Sequence, residues 1–146
     1  MTEETTLRPV AVQRTLAIFS DPWSFSVLQE LFFGVRKFDE FQRNLGISRS
    51  VLARRLKHLE QEQIIDRLLY STRPNRYEYK LTEQGRDMYP IFIALRRWGE
   101  TWLDNASTPK LELIHKSCNQ TLVPSLNCTA CGEVITAKDI TIQVNS

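Results

Sequence analysis

The sequence contains no apolar run long enough to cross a bilayer. Its opening residues, MTEETTLRPV, are acidic and polar, unlike a signal or transit peptide. We therefore expect a cytoplasmic protein with no membrane partner. The sequence also lacks a nucleophile–base pair, a Gly-rich phosphate loop and a paired-carboxylate site, and these absences argue against an enzyme.

Cysteine is scarce in this chain. There are three cysteines, and all of them lie towards the C-terminus, at positions 118, 128 and 131. An odd, clustered count in a cytoplasmic chain favours metal or redox chemistry over structural disulfides.

The net charge is small, at +2, but it is unevenly distributed. Residues 36–80 contain eleven Lys or Arg against six Asp or Glu, a balance of +5, whereas the rest of the chain carries −3. This distribution predicts a polyanion-binding surface confined to the middle of the chain. The length of 146 residues allows one ordinary domain, or one domain with a small appendage.

The pattern of residues 47–61 predicts an amphipathic helix. Ser48 can cap its first turn, and the leucines at 52, 56 and 59 recur at the spacing of one buried face. The opposite face is small, polar and basic, and consists of Arg49, Ser50, Ala53, Arg54 and Lys57. Such a face fits the major groove of DNA, although many basic helix faces are simply solvated.

The sequence patterns on both sides of this basic helix favour DNA binding over a merely solvated face. A short predicted helix over residues 38–45 is ended by Gly46 directly before the basic helix, which is the helix-turn-helix arrangement. Residues 64–81 then predict a β-hairpin whose tip carries Arg73 and Arg76. In this position a hairpin is a wing, with its tip near the phosphate backbone or minor groove. The alternative is an ordinary surface ribbon with charged edges.

Further helices are predicted over residues 10–19 and 22–33, the second capped by Asp21. A long helix is expected from Thr82 to about residue 105, although it contains a glycine and a proline early on. Its aromatic and aliphatic side chains supply more apolar surface than one small domain needs. This surplus indicates packing against a second copy of the chain. The alternative is packing on the chain's own winged-helix core, which takes part of this surface. A pocket for a small-molecule effector between the dimer helices and the winged domain, near Phe92 or Trp98, also stays open.

Several markers along the chain belong together. They are Trp23, Phe33-Gly34, Arg36-Lys37-Phe38, Ile47-Ser48, Leu52, Arg55-Leu56, Leu59, Tyr77, Tyr79, Leu81-Thr82, Gly85 and Trp98. Over about two thirds of the chain this pattern resembles the HxlR-type transcriptional regulators, winged-helix relatives of the MarR group. The resemblance implies a homodimer joined through its terminal helices, with double-stranded DNA as partner. Several members of that group sense oxidants through a cysteine before the first core helix, and this chain has none there.

The resemblance also implies roles for single residues. By position, it implies phosphate contacts from Arg36 and Lys37, groove contacts from Arg49, Ser50 and Arg54, and wing contacts from Arg73 and Arg76. The complete set of candidate DNA-binding residues also includes Ser48, Ala53, Lys57 and Asn75. His58 lies away from the leucine stripe and is expected to be solvated rather than a ligand or sensor.

The C-terminal segment has the spacing of a small zinc ribbon. His115 and Cys118 form one pair with two residues between them, and Cys128 and Cys131 form a second pair of the same spacing after nine further residues. Each pair could supply half of a tetrahedral site, so a structural zinc ion is the expected cofactor, framed by short strands. A reversible disulfide within the cysteines, a different fourth ligand in place of His115, and a remnant without metal stay open as alternatives.

Together these patterns predict a mainly α fold with a small β-hairpin wing, followed by a small β-rich, zinc-ribbon-like appendage. The predicted division is a winged helix-turn-helix DNA-binding and dimerisation domain over residues 8–106 and a tail over residues 107–146. The predicted function is a sequence-specific dimeric transcriptional regulator, a repressor acting on an inverted repeat. The alternatives are a protein-interaction module and a regulator that responds to thiol oxidation or metal through the tail.

Overall fold

The computed structural model of the chain describes residues 8–103 and 111–143. These residues form two compact units, which divide between Tyr89 and Pro90. The elements in chain order are α1 (Ala11–Ile18), α2 (Pro22–Phe32), α3 (Phe38–Leu45), α4 (Arg49–Gln61), β1 (Ile65–Thr72), β2 (Asn75–Leu81), α5 (Glu83–Arg86), α6 (Tyr89–Trp102), β3 (Ile114–His115), β4 (Gln120–Thr121) and a 3-10 turn (Ala137–Asp139). The prediction of a mainly α fold with a β-hairpin is confirmed.

The predicted domain boundary after residue 106 lies outside the described residues, and the division into domains stays a prediction. In the part of the chain that the structure describes, no helix is long and apolar enough to cross a membrane.

The starts of the helices follow the predicted capping residues. The Ser48 hydroxyl accepts from the Val51 N–H at 3.3 Å, and the Thr82 hydroxyl accepts from the Gly85 N–H at 3.0 Å. Gly46 ends α3 with a positive φ of 64°, a conformation that glycine adopts without strain. The turn into α4 is therefore set by a glycine stop followed at once by a serine start.

The core of the first unit is a single cluster built from α2, α3, α4 and the hairpin. Its most deeply buried apolar side chains are Val27, Leu28, Leu31, Phe41, Leu52, Leu56, Leu59, Ile64 and Ile65. The three leucines of α4 are the stripe predicted from their spacing, and their burial fixes which face of α4 points outwards.

The hairpin is attached to the segment that leads into α3. Strands β1 and β2 pair antiparallel from Ile65 opposite Leu81 to Thr72 opposite Asn75, with an irregularity between Leu69 and Ser71. The Tyr79 N–H donates to the Arg36 carbonyl at 2.8 Å, and Lys37 forms a bridge with Glu78. The wing is thereby held to the entry of the helix-turn-helix.

One predicted helix is wrong. The pattern from Thr82 to about residue 105 was expected to form one helix, but the described part forms α5 and α6, with a break at Asp87 and Met88. Pro90 explains the break because proline has no N–H to continue the helical ladder and its ring crowds the preceding turn. Helix α6 therefore has its own start.

The second unit consists of α6 and short β-elements. The Arg96 guanidinium donates to the Leu111 carbonyl and pairs with Glu100 at 2.9 Å. Leu113 and Leu122 border a small cavity of about 70 Å³ next to α6. The β-structure after residue 111 is sparser than the short strands predicted around the cysteines: a strand was predicted over residues 140–144, but residues 140–143, the described part of that range, form none.

Asp21 links two helices of the first unit. Its carboxylate caps α2, accepting from the Ser24 N–H at 3.0 Å and the Ser24 hydroxyl at 2.7 Å, and it pairs with Arg55 of α4 at 3.1 Å. Burial raises the pKa of Asp21, but the hydrogen bonds from Ser24 and the charge of Arg55 outweigh it, so that the pKa of Asp21 lies below its ordinary value.

Asp21→Ala is expected to lower the free energy of unfolding by about 2 kcal/mol at neutral pH, because it removes a cap and leaves the half-buried Arg55 unpaired. A carboxylate with a depressed folded-state pKa stabilises above its unfolded pKa, and that stability is lost as the pH falls through the folded pKa. The stability gap between wild type and Asp21→Asn should therefore begin to narrow below about pH 4 in urea melts and close only below the lowered pKa of Asp21 in the folded protein. Asp39→Ala, at an exposed ion pair, is the control and should change little. A gap that persisted unchanged at low pH would contradict the assigned role of the charge.

Candidate nucleic-acid interface and the cysteine segment

The outward face of α4 is as predicted from its sequence. Five residues of this face are exposed: Arg49, Ser50, Ala53, Arg54 and Lys57. Within the described residues, Arg54 and Lys57 form no ion pair. Their charges are available to a polyanion, and Ala53 between them leaves room for close approach.

Arg49 differs from its neighbours because it already has partners. Its guanidinium lies 3.4 Å from the Asp39 carboxylate and 4.9 Å from the centre of the Phe38 ring. These contacts hold the side chain at the junction of α3 and α4. The pair is exposed, so a phosphate could compete with Asp39 at small cost.

A basic cleft of about 570 Å³ lies between the helix-turn-helix and the wing. Its cationic lining residues are Lys37, Arg43, Arg49 and Arg76. The wing thus meets the start of α4 along one surface, as the wing interpretation requires. Asn75 also borders the cleft, and Arg73 is exposed in the adjoining loop.

The Lys37 ammonium lies 4.9 Å from the centre of the Tyr70 ring, a cation–π contact across the base of the wing. Lys37 is otherwise exposed, so it keeps its charge near the cleft. Arg43 and Tyr70 were missed by the sequence prediction, although Arg43 lies within the basic segment. Its position on α3, opposite the hairpin tip, is known only once the hairpin is placed.

Arg36 has a structural role that the sequence did not reveal. Its Nη1 donates to the Leu31 carbonyl at 2.9 Å and to the Val35 carbonyl at 3.1 Å, and the side chain is half-buried. It thereby supports the Leu31 carbonyl at the end of α2, which also accepts from the Gly34 N–H at 3.1 Å, and the Val35 carbonyl in the loop that follows. Its predicted phosphate contact stays a prediction.

His58 is more enclosed than expected. It was predicted to be a solvated helix residue, but its side chain is half-buried and its Nε2 lies 2.9 Å from the Ile18 carbonyl. The contact joins α4 to the end of α1, so His58 contributes to packing.

The four candidate metal ligands lie in two tight turns. Cys118 Sγ is 3.6 Å from His115 Nδ1, while the Ser117 hydroxyl lies 3.1 Å from His115 Nε2 and 3.4 Å from Nδ1. In the second turn, the backbone N–H groups of Cys131 and Ala130 and the Cys131 side chain hydrogen-bond to the Cys128 thiol and lower its pKa. Across residues 8–103 and 111–143, no three His, Cys, Asp or Glu side chains lie close enough together to hold a metal ion. The structure therefore forms each pair separately.

A glycine-ended helix, a second helix with an exposed basic face and a hairpin with a basic tip, in this order and joined along one cleft, define a winged helix-turn-helix DNA-binding domain. The model of the HxlR-like helix-turn-helix family matches residues 18–107, and the chain belongs to this family.

Relatives extend the likeness over most of the chain. The uncharacterized HTH-type transcriptional regulator Rv3095 of Mycobacterium tuberculosis is 42% identical over 131 residues, covering 90% of this chain and 83% of the relative. The HTH-type transcriptional regulator YdeP of Bacillus subtilis is 34% identical over 107 residues, covering 73% and 82%.

Solved structures agree with these relatives. The crystal structure of PA1607 has a TM-score of 0.82 at 25% identity and covers 97% of each chain. The redox regulator HypR in its reduced form has a TM-score of 0.60 at 33% identity, covering 64% of this chain and 93% of HypR. The chain is thus a transcriptional regulator with a helix-turn-helix DNA-binding domain, in a family of regulators rather than enzymes.

Proposed function

We propose that this regulator is a homodimeric repressor that binds an inverted repeat through α4 and the wing. The observation that carries the proposal is the exposed basic face of α4, which continues into the basic cleft beneath the wing and on which Arg54 and Lys57 have no ion-pair partner among the described residues. The basic face of α4 is not needed to hold the core, since the leucine stripe on the opposite face of α4 does that.

Helix α4 would read bases. An α-helix fits the major groove, and Arg can donate two hydrogen bonds to guanine there. Arg54 is the residue best suited to this contact because it lies in the middle of the exposed face beside the small Ala53. Ser48 and Ser50, in the first turn, can donate to a phosphate, and Lys57 can reach the backbone from the last half of the helix.

The wing would hold the DNA backbone. Arg73, Asn75 and Arg76 lie at its exposed tip, where guanidinium groups can enter a narrow minor groove or pair with phosphates. Lys37 at the wing base and Arg36 at the entry to α3 complete the proposed set of backbone contacts. These contacts set affinity and register, whereas α4 sets sequence preference.

The proposed dimer rests on one face of α6. Ile91, Leu95, Trp98 and Trp102 recur at the spacing of a single helix face, and all four are exposed. Trp102, for example, is 72% exposed. An apolar stripe of this length on an exposed helix is suited to burial against a second copy, in which the same stripe meets itself around a two-fold axis.

A two-fold dimer would present two copies of α4 to half-sites about 10 base pairs apart, or a multiple of that. Such a site is an inverted repeat. A dimer bound over a promoter would occlude polymerase, and this is the mode of repression that we propose.

Selection of bound genomic DNA, followed by sequencing, tests the proposal. The expected result is a short inverted repeat near promoters, bound by two chains, with an affinity that falls steeply as salt rises because several phosphates are neutralised. Light scattering of the complex gives the number of chains. A direct repeat, an asymmetric site bound by one chain, or no enrichment at low salt would each contradict the proposal, and the last would favour a protein-interaction module.

A further inference from the structure

The two turns that carry the cysteines are copies of one backbone arrangement. In the first turn the Asn119 N–H donates to the His115 carbonyl, and in the second the Gly132 N–H donates to the Cys128 carbonyl, both at 2.7 Å. Each donor and acceptor of the second turn lies 13 positions after its equivalent in the first. The turns are therefore equivalent residue by residue.

The same offset holds for the strands that flank the turns. The Leu122 N–H donates to the Leu113 carbonyl at 2.7 Å, and its equivalent, the Ile135 N–H, donates to the Leu126 carbonyl at 2.8 Å. The pairing of Ile114 with Thr121 is likewise matched by that of Asn127 with Val134. The segment is thus two consecutive copies of a small hairpin.

The residue after each second ligand position has a positive φ, 56° at Asn119 and 81° at Gly132. Asn and Gly are the residues that tolerate this conformation best. A positive φ at this point curls the chain around the pair, so that both side chains of a pair face the same side of their turn.

The chemistry of the repeat is concentrated at its equivalent positions. The chain has three cysteines and two histidines, and four of these five residues occupy the two ligand positions of the two turns. His58 is the exception and lies in the first unit. Nothing in the packing of a hairpin requires Cys or His at these positions, so the coincidence points to a shared ligand.

We propose that the two turns, whose ligand pairs the structure forms separately, come together on one zinc ion in each chain, bound by His115, Cys118, Cys128 and Cys131. Three thiolates and one imidazole are a common ligand set of structural, tetrahedral zinc. Each cysteine thiol releases its proton to solvent as it binds, and the imidazole binds neutral. This site is independent of the proposed DNA contacts.

The geometry of the first pair fits the ion. Bond lengths of about 2.3 Å to sulfur and 2.0–2.1 Å to nitrogen, at a tetrahedral angle, put the two ligand atoms about 3.6 Å apart. Cys118 Sγ and His115 Nδ1 are separated by 3.6 Å. The Ser117 hydroxyl, nearer to Nε2 than to Nδ1, is placed to orient the ring through its other nitrogen.

The energetics of the segment also favour a metal. Over the described residues 111–143, no side chain is fully buried. A segment that lacks its own core gains its folding energy from another source, and a structural zinc site supplies it by joining the two turns.

Metal analysis of the purified full-length chain is the direct test. The expected result is about one zinc per chain, removed by a strong chelator and restored by added zinc. Cobalt added in place of zinc should give the visible spectrum of tetrahedral thiolate coordination. Using wild type for these steps avoids any dependence on how variants fold.

Variants then assign the ligands. Cys118→Ser, Cys128→Ser, Cys131→Ser and His115→Ala should each weaken zinc retention by more than the roughly 10- to 100-fold that loss of an outer partner costs. Thr129→Ala, which changes the second turn between its cysteines, should keep the metal. Circular dichroism of the helical signal checks that each variant is folded.

Several results would overturn the site. They are wild-type protein with no zinc that also fails to bind cobalt under reducing conditions, half an equivalent per chain, or zinc retention unaffected by His115→Ala. Loss of zinc in Thr129→Ala equal to that in Cys131→Ser would equally refute the assignment of ligands.

Discussion

Arg54→Ala is expected to weaken binding to the selected inverted repeat by about 1–3 kcal/mol, roughly 5- to 150-fold in Kd per half-site. The reason is geometric. Arg54 is exposed in the middle of the outward face of α4 and, among the residues the structure describes, has no ion-pair partner that DNA would have to displace. If Arg54 donates to guanine, its loss removes two charge-assisted hydrogen bonds and weakens the preference for guanine at one position of the DNA site.

Two further variants distinguish the loss of a base contact from a general effect of removing positive charge. Lys57→Ala should weaken specific and non-specific binding alike and reduce the slope of log K against log salt by about one, as a lost phosphate contact does. Arg14→Ala removes the same charge from α1, outside the proposed surface, and should leave both affinities nearly unchanged. Titrations of the operator and a scrambled duplex at three salt concentrations measure all of these effects. Equal binding of the operator by wild type and Arg54→Ala would show that the reading face is misplaced.

Gly85→Ala is expected to lower the free energy of unfolding by about 3 kcal/mol and Tm by more than about 10 °C. Gly85 is buried in α5, and a Cβ there would overlap the Ile64 carbonyl oxygen and lie 3.1 Å from Leu81 Cδ2. That carbonyl cannot easily move away, because it accepts from the Thr82 N–H at 3.0 Å and from the Thr82 hydroxyl at 3.1 Å. The substitution must therefore break these hydrogen bonds or shift α5.

Gly99→Ala is the matched control for this substitution. Gly99 lies in α6, and a Cβ there would meet nothing within 4 Å. Alanine in a helix with free space should be neutral or stabilising, by up to about 1 kcal/mol. Thermal and urea melts of the two variants compare the same chemical change at a crowded and an open site. Similar melting of Gly85→Ala and wild type would contradict the close approach of α5 to Ile64.

Local signals were strong enough to predict most of the DNA-binding unit. Helix α3 has the predicted bounds, and α4 begins after its predicted cap, Ser48, because a glycine stop and a serine start leave the backbone few alternatives. The leucine stripe then determined which residues face outwards. These inferences needed only the spacing of side chains along one helix.

The errors arose where the outcome depended on distant residues or on competing signals. The helical spacing of apolar residues continues through Pro90, so the pattern alone predicted one helix. The structure has two helices there, because proline lacks the N–H that would continue the first. The structural role of Arg36 was also missed, because its place at the start of the basic segment suggested only a DNA contact and the hydrogen bonds of its guanidinium to two nearby carbonyls have no signal in the sequence. In a basic segment, the sequence alone does not distinguish an arginine that contacts DNA from one that hydrogen-bonds to backbone carbonyls.

The tail shows a different limit. The spacing of the two ligand pairs is evident in the sequence. The repeat that relates the pairs is defined instead by backbone hydrogen bonds and by one residue with a positive φ in each turn. Asn119 and Gly132 share little except their tolerance of that conformation. The repeat could have been found by aligning the two turns on Cys118 and Cys131, which requires treating asparagine and glycine as equivalent.

Arg54 and Arg55 are neighbours in sequence, but Arg54 is exposed on the outward face of α4 and Arg55 pairs with Asp21 inside the first unit. Successive residues on an α-helix point about 100° apart, so the direction of one fixes the direction of the other. Arg55 forms an ion pair with Asp21 at the start of α2, and this pair restrains the rotation of α4 about its own axis. If the proposed dimer forms, we expect a signal that alters DNA binding to move α2 and α4 together, and so to change the distance between the two copies of α4 rather than the angle at which each meets the bases.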